Sequence, residues 1–394
     1  GGIVIISLYL KSPTIQLLSF GGGIFLGALA YIILIKFKCV ETRMVCISDK
    51  KYMKCLLEAV FLIFFVLSLA IIHTSQSRSI FYFIVISICI GLVALLCYQA
   101  INKTDIVIQI LNIYLLSLNI KLTKFYLYEG SGIDYWKHLK MNEILAQFGD
   151  IEVLIGKEQY FPIMHISVAI NEIILDVSVK DASMYSTIIP LVISSICVYL
   201  LGRELFGENI GLLGMLIVNI SDYHNLWGIS PQTTSYGIII FFVTMFVLYK
   251  SKDKINRIEH LIVLYILIIT MILTHAISSF VLLMTLTGLT AGSLIYCKAF
   301  SKKREVFSPI ILVIYLIALL QHWFIAEFTR DGSSFFDQIS GSLIYYLKEH
   351  GDILNRPESY PEFQTLLPPL SEQLLNNTGL ALLIFLAIIG SIYW

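Results

Sequence analysis

Pro162-Ile163-Met164-His165-Ile166-Ser167-Val168-Ala169-Ile170-Asn171-Glu172-Ile173-Ile174-Leu175-Asp176 decides how this chain is threaded. Its apolar content suits a membrane, yet at about 15 residues it is short for a hydrocarbon core that needs roughly 20. At about 100° per residue, His165, Glu172 and Asp176 fall within about 40° of one another, opposite Ile166, Ile170, Ile173 and Ile174. Such a segment is expected to lie in the interface as a helix that does not cross.

The flanking sequence makes the same demand. The chain has 394 residues, 57% hydrophobic and 14% charged, with mean hydropathy +0.83. Soluble domains average roughly 45–50% apolar and about 25% charged. This composition excludes a soluble globular domain and predicts an all-α, polytopic transmembrane helix bundle; nucleic acid is not an expected partner. Apolar runs long enough to span lie near 14–35, 55–73, 79–99, 105–125, 181–201, 208–226, 232–250, 259–275, 277–297, 306–325 and 377–394, with a shorter run at 1–10. The expectation is about 11–12 spans.

Loop charge sets the sides, because basic residues favour the cytoplasm. Lys36, Lys38, Arg43, Lys50, Lys51 and Lys54 share one loop, Lys250, Lys252, Lys254 and Arg257 a second, and Lys298, Lys302, Lys303 and Arg304 a third. Three spans after the first basic loop put 126–161 outside. The next two basic loops return to the cytoplasm only if 162–176 does not cross, so parity and periodicity agree. The chain then divides into N-terminal helices at 1–125, an outer loop with interfacial helices at 126–180, a transmembrane core at 181–325, an extracytoplasmic loop at 326–376 and the start of a further helix at 377–394. The prolines Pro357, Pro361, Pro368 and Pro369 rule out one continuous helix in the long loop.

None of the seven cysteines forms a Cys-x-x-Cys pair, so neither a zinc site nor a disulfide framework is indicated by them. The chain opens Gly1-Gly2-Ile3 and stops in an apolar run at Tyr393-Trp394, and it reads as a fragment. Within the spans, Glu58, Asn219, Gln321 and His322 are the main polar exceptions, which is little for an ion-coupled pump.

Chemistry therefore concentrates at the outer face. The polar island Tyr128-Glu129-Gly130-Ser131-Gly132-Ile133-Asp134-Tyr135-Trp136-Lys137-His138 is expected to break the outgoing helix at its glycines and start a new one at Asp134. Asp134 and His138 then share a face one turn apart, a spacing that suits a carboxylate base or a metal-ligand pair. Equally, Asp134 serves as an N-cap with His138 a solvated neighbour. Tyr135 and Trp136 read as interface-belt aromatics. His165 and Glu172 on the interfacial helix, His224 in Asp222-Tyr223-His224, and His275 in Thr274-His275-Ala276 are further substrate-binding candidates. Arg330 and Arg356 on the long loop offer guanidinium forks for phosphate, or pair with the acids around them.

Four of these features together resemble the GT-C superfamily of membrane glycosyltransferases. They are the glycine turn with Asp134, the Tyr160-Phe161-Pro162-Ile163-Met164-His165 segment, the span ending Leu201-Gly202-Arg203-Glu204-Leu205-Phe206-Gly207, and Thr274-His275 closing a later span. The resemblance covers about 125–300 of this sequence. It implies a sugar donor on a polyprenyl or dolichyl phosphate, a protein, lipid or glycan acceptor, and an active site on the extracytoplasmic face of the plasma membrane. By that resemblance Asp134 matches the superfamily's loop acid, as a base or as a ligand to a divalent cation such as Mg or Mn, and His165 sits where it has its interfacial helix. The chain departs from the pattern in having Tyr135, not a second acid, beside Asp134, and in placing several helices before the acidic loop. Alternative readings are a transporter of lipids or lipid-linked polysaccharide and an oligosaccharide polymerase.

Overall fold

Turn residues cut the apolar sequence into helices. In the computed structural model, which describes residues 50–127, 133–251, 258–300, 309–326 and 333–349, α1 (Lys50–Ser75) is closed by Gln76 at φ 49° and α2 (Ile80–Tyr98) follows extended Ser79. Asn102 starts α3 (Lys103–Leu127) by accepting from the Asp105 backbone N–H at 2.9 Å. α4 (Ile133–Phe148) ends at Gly149, φ 69°, and two 3₁₀ turns, Ile151–Val153 and Gly156–Gln159, lead through Pro162 into α5 (Ile163–Leu175). α6 (Val179–Phe206) is a composite of 28 residues with a π-helical turn at Met184–Ile188 just before Pro190. Gly207, at φ 100°, turns the chain into α7 (Glu208–Ile220). Then come α8 (Asp222–Ile229), α9 (Thr233–Ser251), α10 (Ile258–Ile272), α11 (Ala276–Phe300), α12 (Pro309–Ile325) and α13 (Phe335–Glu349).

Among the described residues the fold is all-α, without a β-strand, and five helices are long and apolar enough to cross a membrane: α1 from Tyr52, α2, α3, α6 and α9. The expected span at 208–226 is divided, because Ser221 is extended and its hydroxyl accepts from the His224 backbone N–H at 3.4 Å, capping α8. α7 alone, with 13 residues, rises only about 20 Å. The runs at 259–275 and 306–325 form apolar helices of 15 and 17 residues, α10 and α12. The expected segments at 1–10, 14–35 and 377–394 lie outside the described residues.

Side-chain contacts sort the helix ends into two groups. At one end Lys54 pairs with Asp105, Lys250 Nζ meets Glu204 Oε1 at 2.6 Å, and Asn209 donates to the Tyr98 carbonyl at 2.7 Å. At the other, the Tyr126 hydroxyl donates to Asp181 at 2.8 Å, Thr234 meets His275 at 3.3 Å, and the rings of Phe161 and His322 lie 5.1 Å apart. α3 thus arrives and α6 departs at the same end, so α4 and α5 between them do not cross the bundle, as parity requires. Lys54 and Lys250, from two of the basic loops, share the opposite end.

The exterior is apolar over long stretches: Ile63, Val66 and Phe81 are 65%, 61% and 67% exposed. Surfaces of that kind need a non-aqueous cover. Inside, polar side chains join the helices where lipid-facing apolar residues cannot discriminate between partners. Asn119 donates to Ser68 at 2.7 Å and accepts from Tyr82 at 3.2 Å, while Ser117 donates to Asn219 at 2.7 Å. Lys121 is fully buried, and its ammonium donates to Ser117 Oγ, the Asn219 carbonyl and Asn225 Oδ1 at 2.8, 3.1 and 3.0 Å. Gly228 makes room for its stem, since a Cβ there would lie 2.6 Å from Lys121 Cε. Lys121→Met keeps the volume but leaves these acceptors without their donor. We expect about 1–3 kcal/mol of lost stability, read by thermal unfolding in detergent; an unchanged transition would show that the ammonium contributes nothing.

Candidate functional site

Two histidines meet where α4 packs on α5. His138 Nδ1 lies 3.4 Å from His165 Nε2, with ring centroids 5.2 Å apart and planes tilted by 37°. Glu158, presented by the Gly156–Gln159 turn, places Oε2 3.5 Å from His165 Nε2, and Lys137 Nζ stands 3.9 Å from its Oε1. Asn142, one helical turn after His138, accepts from His165 Nδ1 at 2.5 Å. His138, Asn142, Glu158 and His165 are 6%, 2%, 2% and 0% exposed. The local sequence explains the convergence. His138 and Asn142 share the inward face of α4, and Pro162 starts α5 so that His165 falls in its first turn.

Burial sets the charge in this cluster. Burial pushes the His138 imidazole down to about 4, against the opposing pull of the Glu158 carboxylate, so His138 is neutral at neutral pH. For Glu158, burial alone acts upward. The His165 hydrogen bond and the charges of His138, His165 and Lys157 outweigh it and hold the carboxyl below its ordinary range. The result is a carboxylate beside two imidazoles.

The other expected residues divide into neighbours and outliers. Asp134 stands on the first turn of α4, exposed, and its charge reaches His138 one turn away. His275, between α10 and α11, feels the charges of Lys157, Glu158 and His138 and meets Ser278 Oγ at 2.9 Å. His322 backs the same segment, stacked edge-on against Phe161. Glu172 lies on α5 but leaves the cluster: it is half-buried near Glu143, and burial raises its carboxyl. His224 stacks on Phe242 and lies near Lys121, in a different part of the bundle end. Tyr135, expected in an interface belt, is buried against Phe125, Met184 and Ile188, whereas Trp136 is 51% exposed as a belt residue would be. Arg330 and Arg356 lie outside the described residues.

No family model matches the chain, and no curated protein matches it either. The site must therefore be read from its own geometry.

Glu158 and Asn142 are the members that sequence reasoning missed. Asn142 carried a usable signal, its i+4 spacing from His138 on a polar helix face. Glu158 carried none, because a 3₁₀ turn of four residues has no periodicity to read.

Proposed function

We propose that the chain is a membrane glycosyltransferase of the GT-C kind, acting at the end of the bundle where α4 and α5 lie, on the extracytoplasmic face of the plasma membrane. The observation that carries this reading is the pairing of a buried His138–Glu158–His165 set with the outward face of the non-crossing helix α5. Ile170, Ile173 and Ile174 on that face are 48%, 63% and 73% exposed. A sugar on a polyprenyl phosphate needs both, lipid-level access for its chain and fixed polar groups for its phosphate.

In the reaction, an acceptor hydroxyl on a glycan, lipid or protein gives its proton to Asp134 as its oxygen attacks the anomeric carbon. The bond from that carbon to the phosphate oxygen breaks, and polyprenyl phosphate leaves with the electron pair. Lys137 and Lys157, beside Glu158, supply positive charge on the side where the phosphate departs. His165, in contact with Glu158, and His275, which feels the charges of Lys157 and Glu158, adjoin the same region.

The test is purified protein in proteoliposomes with labelled polyprenyl-phosphate sugars and a panel of acceptors. Label appearing covalently on an acceptor is the expected result. Label that crosses the bilayer still attached to its lipid would identify a transporter and reject the enzyme. Sidedness has its own check: in a cysteine-free background, Trp136→Cys should react with an impermeant thiol reagent added to intact cells, and Lys250→Cys should not. The reverse pattern would turn the molecule over.

A further inference from the structure

We infer that His138, Glu158 and His165 form a binding site for a zinc-class divalent ion, distinct from a Mg or Mn site built on Asp134. The inference stands on the geometry of the cluster and does not need the transfer reaction. One ligand atom from each residue lies within 4.8 Å of the others, and all three side chains are buried.

Two of the three ligand separations bear on the kind of ion. Two nitrogen or oxygen ligands held about 2.0–2.1 Å from a tetrahedral ion stand about 3.3–3.4 Å apart. Adjacent ligands on octahedral magnesium at the same bond length stand about 2.9–3.0 Å apart. His138 Nδ1 to His165 Nε2 is 3.4 Å and His165 Nε2 to Glu158 Oε2 is 3.5 Å. These two edges are close to the tetrahedral case and longer than the usual range of about 2.7–3.2 Å for a hydrogen bond between these atoms; the third, between His138 and Glu158, is wider, within 4.8 Å, so an ion would draw those two side chains together. Two imidazoles and one carboxylate are also the donor set of zinc sites that keep a position open.

Asn142 supplies the second argument. Its side-chain oxygen can only accept, so it takes a proton from His165 Nδ1 and turns Nε2, the other ring nitrogen, toward Glu158 and His138. Orienting partners of this kind are the second-shell signature of ligating histidines. The three ligands come from α4, the Gly156–Gln159 turn and α5, so an ion would also tie those three elements together.

The measurement is made without any sugar donor. Chelator-treated protein in detergent is titrated with zinc alone, and cobalt(II) is then substituted for spectroscopy. A single tight equivalent is expected in the wild type, lost in His165→Ala and in Glu158→Gln, with Asn142→Leu weakening it by about tenfold to a hundredfold. Cobalt should give the intense visible absorption of a tetrahedral site without thiolate charge-transfer bands. Wild-type protein that is monodisperse yet binds no zinc overturns the inference, as does a weak octahedral cobalt spectrum or a thiolate band that places the ion on cysteine. These wild-type readings decide the matter even where a variant fails to fold. Transfer without zinc binding would sink the ion and spare the enzyme; zinc binding without transfer would do the opposite.

Discussion

Gly211→Val should prevent the protein from reaching a folded, monodisperse state, while Gly91→Ala should leave it intact. α6 and α7 form a tight hairpin around Gly207, and they touch through bare backbone. A Cβ on Gly211 would lie 2.6 Å from the Tyr199 carbonyl oxygen and 2.8 Å from the Arg203 nitrogen; one on Gly202 would lie 2.8 Å from the Gly211 Cα. Those atoms belong to a helix backbone and cannot rotate aside, so the two helices must separate. Separation would also disturb Asn219, which donates to Ser195 at 2.7 Å across the same pair. A loss beyond about 4 kcal/mol is expected, in the range reserved for clashes of this type. At Gly91 nothing lies within 4 Å of a Cβ, and alanine there should be neutral or up to about 1 kcal/mol stabilising through helix propensity. Thermal unfolding in detergent and the monodisperse yield measure both. Equal behaviour of the two variants would show that α6 and α7 are not held this closely.

The threading was legible because it is a question of parity, and parity survives errors of a few residues. Once three basic loops had to share a side, 162–176 had either to cross or not, and the Tyr126 to Asp181 bond places both flanking helix ends together. Helix breaks were less legible. A hydropathy window averages over Ser221, although Ser followed by Asp222 is an N-cap pattern that ends α7. The same averaging hid Lys121 within an apolar run, where a fully buried ammonium four residues after Ser117 becomes visible only through its acceptors on α7 and α8. For the site, residue type and helical spacing brought His138 and His165 forward. What they lacked was the third dimension: Glu158 joins them because a short turn folds back between α4 and α5, and His224 separates from them because α8 turns it toward Phe242.

Asp134→Asn should lower transfer by about 10²–10⁴-fold in kcat while leaving the fold and the donor KM nearly unchanged. Two carboxylates compete for the role of base, and their surroundings separate them. Glu158 is buried, 3.5 Å from His165 and 3.9 Å from Lys137, with both oxygens engaged. It is poorly placed to meet an incoming hydroxyl. Asp134 is exposed on the first turn of α4, one turn from His138, where an acceptor arriving from water can reach it. Asparagine preserves its size and polarity and removes the ability to take a proton. The competing role for Asp134 is a charge at a helix N-terminus, which contributes about 0.3–1 kcal/mol to stability and nothing to chemistry. The two roles therefore move different readouts: a base moves kcat, a helix-end charge moves the melting transition. Full transfer by Asp134→Asn, with a small loss of stability, would strip Asp134 of its catalytic role. Glu158→Gln is the contrasting variant, because it weakens the buried pairing with His165 and should lower thermal stability together with turnover.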